Sequence, residues 1–72
     1  MKTIYTKEHR TLITRLREAR LAAGLTQVQV AKKLKRPQSF IAHLESGRRR
    51  VDAIELNTFA RLYKKPMDYF HL

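Results

Sequence analysis

Seventy-two residues suffice for one domain and not for two, and a chain this short buries only about 60% of the surface it exposes when unfolded, so its core has to be small and efficient. Sixteen Lys and Arg against six Asp and Glu give a net charge of +10, a field that attracts polyanions, with nucleic acid and anionic membrane as the leading candidates. The lack of cysteine excludes disulfides and thiolate zinc sites, the scattered His9, His43 and His71 do not replace them, and no segment approaches the ~20 apolar residues that span a bilayer, so no cofactor, metal, secretion or membrane anchoring is expected.

Residues 1–5 are expected to form a flexible arm. Thr6 is placed to cap a first helix over 7–23, in which Leu12, Leu16, Ala19 and Ala23 recur at spacings of four, three and four and form one apolar stripe, widened by Ile13. Gly24 stands where a helix commonly ends in a left-handed residue. Thr26 followed by Gln29 is a capping-box signature and predicts a second helix over 27–34 that buries Val30, Ala31 and Leu34. A third helix over 38–45 follows Pro37, whose fixed φ and missing N–H suit a first helical position; it buries Ile41 and Leu44 and ends before Gly47. Asp52 with Glu55 repeats the capping box and starts a fourth helix over 53–63, with Leu56, Phe59, Ala60 and Tyr63 facing inward. Pro66 introduces a short fifth helix over 67–70, where Met67 and Phe70 close the bottom of the core. Only Lys35, Arg36 and Pro37 separate the second helix from the third, so these two meet at a steep angle as a helix-turn-helix. The expected architecture is all-α, a single five-helix domain over 1–72 with its motif at about 26–45.

The stretch "GLTQVQVAKKLKRPQSFIAHLESGRRRVD" resembles the helix-turn-helix of the phage repressor and Cro group, the lambda-repressor-like or XRE family. The resemblance is carried by Gly24-Leu25-Thr26-Gln27, Ala31, Leu34, Gln38-Ser39, Ile41, Glu45, Gly47, Arg49 and Asp52, and it covers about residues 10 to 70. It implies a compact lambda-repressor-like DNA-binding domain. It further implies that Gln27 contacts a phosphate and braces Gln38, that Arg49 ties down the loop after the third helix, and that Glu45 pairs with Arg20. Two positions depart from the family pattern. Lys35 stands where the family often has a left-handed glycine, at a cost of order 1 kcal/mol. Pro37 replaces a capping Ser or Gly and leaves the third helix without a side-chain cap.

In such motifs the second helix enters the major groove with its N-terminal residues at the base edges. Gln38 is the leading base-contacting candidate, because one amide both donates and accepts and so matches the paired acceptor and donor of adenine. Ser39 reaches a base or a phosphate. Ala42 and His43 lie a turn further along the same outward face, where a methyl group meets thymine and an imidazole reaches a base or phosphate. Phe40 either packs on thymine methyls or covers the neighbouring helix. Between Lys32 and Arg50 the chain carries seven Lys and Arg against one acid, Glu45. A run of this kind is commonly a solvated loop. Beside the base-reading helix, Arg36, Arg48, Arg49 and Arg50 are better read as neutralising phosphates, with Ser46 adding a hydroxyl. A carboxylate facing DNA would repel it, so Glu45 is expected to turn inward to a cation.

Catalysis is not expected. Ser39 with His43 one turn on is the nearest approach to a reacting pair, and neither an oxyanion loop nor an orienting acid accompanies it. The first helix is basic and amphipathic enough for a membrane surface, but its apolar stripe is needed by the core. The expected function is therefore that of a sequence-specific double-stranded DNA-binding regulator, a repressor first, located in the cytoplasm with the nucleoid. The alternatives are the antitoxin of a toxin–antitoxin pair, with a protein partner, and the controller protein of a restriction-modification locus. An antitoxin commonly adds a toxin-binding segment, for which almost no residues remain outside the domain. One helix reads few base pairs, so a homodimer on a palindromic operator with half-sites about 34 Å apart is expected, and Tyr69, Phe70 and Leu72 or Ile4 and Tyr5 are its candidate contact patches.

Overall fold

Each helix starts where a side chain satisfies its first N–H groups, with one exception. In the computed structural model, which describes residues 6–70, the Thr6 hydroxyl accepts from the His9 amide at 3.1 Å and opens α1, Lys7–Ala22. Thr26 and Gln29 close a full capping box at α2, Gln27–Leu34, and Asp52 and Glu55 close another at α4, Ala53–Tyr63. The exception is α3, Gln38–Glu45, where Pro37 is the cap and contributes no side-chain hydrogen bond. Pro37 stands in the capping place with an extended ψ of 153°, the helix begins at Gln38 without a side-chain cap as expected, and the Pro37 carbonyl accepts from the Phe40 amide at 3.0 Å.

The four helices also end alike. In each, an amide two or three residues beyond the helix reaches back to a carbonyl five residues earlier: Leu25 to Arg20, Arg36 to Ala31, Arg48 to His43 and Lys65 to Ala60, at 2.9–3.2 Å. This closure needs a left-handed residue. Gly24 and Gly47 supply it at φ +75° and +81°, and Lys35 and Lys64 supply it at +57° and +59°. A Cβ added at either glycine would meet nothing within 4 Å, so it is the backbone angle, and not the space, that calls for glycine there.

The capped helices wrap one core. Ile13, Leu16 and Ala19 of α1 meet Val30 and Ala31 of α2, Ile41 and Leu44 of α3, and Leu56, Phe59, Ala60 and Tyr63 of α4, with the Phe59 and Tyr63 rings stacked at 5.8 Å. The main packing partner of α3 is α2, and α1 packs against α3 and α4. No described helix is long and apolar enough to cross a membrane.

Several expectations change. The described residues hold four α-helices and no strand, and the expected fifth helix is a single 3-10 turn, Met67–Phe70. Four residues after a proline close the short bond from the Tyr69 amide to the Pro66 carbonyl, 3.0 Å, and then stop. Ala23 is exposed and caps α1 instead of extending its stripe. Phe70 is in the core and not on a free patch, while half-buried Tyr69 lies under the Arg15 guanidinium and the Lys65 ammonium, 5.2 and 4.8 Å from its ring centre. Arg15 Nη1 also donates to the Tyr69 carbonyl at 2.8 Å and pins the turn to α1. The expected arm 1–5 with Ile4 and Tyr5, and His71 and Leu72, lie outside the described residues.

The left-handed lysines set an expected outcome. Lys64→Gly should raise stability by about 0.5 kcal/mol after allowing for the freedom glycine adds to the unfolded chain, and hence the melting temperature by about 2–4 °C in thermal circular dichroism.

Candidate nucleic-acid interface

Because α3 is pinned through Ile41 and Leu44, its remaining faces are left for other work. Gln38, Ser39 and His43 are exposed and Ala42 is half-buried, so the residues expected at base edges lie along the outward side of one eight-residue helix. Gln38 and Ser39 occupy its first turn. No side chain caps that end, and of the first-turn amides that of Phe40 is taken up by the Pro37 carbonyl at 3.0 Å.

The inward turn of Glu45 is the main electrostatic feature. Arg20 Nε donates to Oε2 at 2.7 Å, Arg20 Nη2 donates to Oε1 at 3.0 Å, and the side chains are 9% and 5% exposed. The third limb of the guanidinium, Nη1, donates to the Leu25 carbonyl at 2.8 Å. One arginine thus ties α1 to the last turn of α3 and to the loop that leads into α2. The hydrogen bond to Glu45 raises the already high pKa of Arg20, against the effect of burial. Tyr63 is close enough to sense the same pair: burial first, and the Glu45 charge second, push its phenol well above the usual range.

Gln27 extends this arrangement outward. Its Nε2 donates to Glu45 Oε1 at 3.1 Å, and its Oε1 accepts from Gln38 Nε2 at 3.5 Å. The bracing of Gln38 implied by the family resemblance is therefore present, though loose.

The arginines divide by partner. Arg49, expected at a phosphate or in the loop, is held in the loop: its guanidinium makes three contacts of 3.2–3.3 Å with the Glu55 carboxylate, which also accepts from the Asp52 amide. Phe40 is half-buried against the core, and both Arg36 and Arg49 lie over its ring, at 3.9 and 4.6 Å from the centre. Phe40 therefore serves as a platform for two cations. Arg36, Arg48 and Arg50 are exposed, as are Lys32, Lys33 and Lys35, so the positive rim runs from the end of α2 through the turn and resumes after α3. Ser46, expected at a phosphate, donates its hydroxyl to the His43 carbonyl at 2.9 Å as the end of α3, which engages its only proton.

Two contacts were not anticipated in the sequence. His9 Nε2 lies 3.3 Å from the Gly47 carbonyl and links the start of α1 to the loop behind α3. Glu55 serves both its helix cap and Arg49. The capping signature marked Glu55, but neither His9 nor the second duty of Glu55 leaves a trace in local spacing.

A family model described as a helix-turn-helix domain matches residues 12–67. The search of curated proteins gave no match.

The burial of the Arg20–Glu45 pair sets the expected consequence of cutting it. Glu45→Ala leaves a guanidinium without its anion and should cost about 3–5 kcal/mol, lowering the melting temperature by more than about 12 °C in calorimetry. A variant melting like the wild type would remove this pair from the account of stability.

Proposed function

The chain belongs to the helix-turn-helix domain family, a family of DNA-binding regulators, and on that premise we propose that it is a repressor of the phage repressor and Cro type, reading double-stranded DNA in the major groove with α3. The observation that carries this reading is the exposed first turn of α3, with Gln38 held at its tip by Gln27 and with Arg36, Arg48 and Arg50 exposed around it. A major groove admits one α-helix. Gln38 donates to N7 and accepts from N6 of an adenine, Ser39 and His43 reach the following bases or phosphates, and the Ala42 methyl meets a thymine methyl. The exposed arginines neutralise phosphates on either side.

Specific affinity from so short a helix calls for two copies, and the chain acts as a homodimer on a palindromic operator. Ile54 supplies the contact. It is 80% exposed on the first turn of α4, the most exposed large apolar side chain among the described residues, and it borders a shallow recess of Leu34, Phe40, Thr58 and Phe59 just behind the DNA-facing turn.

Selection of bound sequences from a random duplex pool tests base reading. Gln38→Ala should relax one position of the half-site, with about 1–3 kcal/mol of discrimination lost there. Arg48→Ala should weaken all sequences alike and lower the slope of log K against log salt concentration by about 0.9. Sedimentation on the selected operator tests assembly: the wild type should give two chains per duplex and Ile54→Lys one, and a strict one-to-one wild-type complex would rule the homodimer out.

A further inference from the structure

The buried ion pair and the base-reading glutamine are joined by an unbroken series of hydrogen bonds, and from it we propose that Glu45 is a positioning residue for base selectivity, acting through Gln27, besides its part in holding α1 to α3. The proposal rests on the reading of Gln38 as a base contact.

The argument follows from the direction of each bond. An ionised carboxylate accepts and never donates. Glu45 Oε1 takes one proton from Arg20 and one from Gln27 Nε2. Of the two ends of the Gln27 amide, only the nitrogen can face Glu45, so the oxygen must face the other way. There it meets Gln38 Nε2. The charge on Glu45 therefore decides, two residues away, which end of the Gln38 amide is turned toward the protein. With one hydrogen of Gln38 Nε2 given to Gln27, its second hydrogen and Oε1 remain as a donor beside an acceptor. That couple complements N7 and N6 of adenine. The reversed amide would set oxygen against N7 and nitrogen against the N6 hydrogens, with both contacts repulsive.

The series also passes from interior to solvent. Arg20 and Glu45 are almost fully buried, Gln27 is half-buried and Gln38 is exposed. A rigid, charged head thus sets the polarity of a mobile tip. At 3.5 Å the last contact is longer than the usual 2.9–3.0 Å, so it biases the orientation of Gln38 in the free protein and tightens when a base fixes the other end. A neutral amide in place of Glu45 would remove the bias, because it can present either oxygen or nitrogen to Gln27.

The test uses the full chain, the operator chosen by selection, and the same duplex with the base pair at the Gln38 position replaced. The ratio of the two affinities by fluorescence anisotropy measures selectivity. Gln27→Met keeps the Arg20–Glu45 pair and should leave the melting temperature unchanged while lowering the ratio by about tenfold. Glu45→Asp keeps a carboxylate for Arg20 but withdraws it by one methylene from Gln27, and Glu45→Gln removes the charge; both should lower the ratio at a temperature where circular dichroism shows them folded. Phe70→Leu, a core change on the 3-10 turn, should lower the melting temperature and leave the ratio as it was. A wild-type ratio in Gln27→Met, or in folded Glu45→Asp, overturns the proposal. Should Gln38→Ala select the same bases as the wild type, it is the assignment of Gln38 that fails, and that result is separate from the first.

Discussion

A carboxylate drawn inward from α3 is costly unless a cation meets it there, and Arg20 meets Glu45 with two hydrogen bonds and closes its third limb on the Leu25 carbonyl. Among the described residues, no other side chain hydrogen-bonds α1, the α1–α2 loop and the last turn of α3 together. Apolar packing through Leu16, Val30, Ile41 and Leu44 is strong but non-directional, and it fixes which faces are inward without fixing rotation or register. The fork of the guanidinium fixes both. Because α3 is held at its C-terminal end by this pair and along its length by Ile41 and Leu44, its first turn projects free of the core.

The positive charge of the chain is uneven in use, although it reads as uniform in the sequence. Arg20 is inside the fold. Arg49 belongs to a loop, neutralised by Glu55, and with Arg36 it covers the Phe40 ring. Arg48, between these constraints, is exposed. Arg49 thus differs from its exposed neighbours Arg48 and Arg50 in what it offers a polyanion, and the difference comes from a glutamate whose place was set by the start of α4.

Much of the fold was legible because it is written in short-range terms. Thr6, Thr26 with Gln29, and Asp52 with Glu55 begin helices for reasons contained within four residues, and Gly24 and Gly47 end them through a backbone angle. The stripe of α1 and the pair Ile41 and Leu44 follow from periodicity alone. The fifth element was misjudged because the distinction between a 3-10 turn and an α-helix depends on whether a second turn exists to be paid for by packing, and four residues give no periodicity to measure. At the candidate interface, the outward place of Gln38 and the inward pairing of Glu45 with Arg20 were legible by chemistry and by resemblance. The cation-covered Phe40, the second duty of Glu55 and the reach of His9 to Gly47 arise between side chains whose meeting local spacing does not encode.

The turn between α2 and α3 has a bearing on how the domain balances two demands. Lys35 holds a left-handed angle that glycine adopts without strain, and it does so in the midst of the exposed basic rim. The same side chain that makes this corner of the backbone less comfortable adds a unit of charge to the exposed basic rim. Folding strength and electrostatic capture are thereby opposed at a single position, and a more rigid version of this domain obtained by relaxing that angle would meet its polyanion with a weaker field.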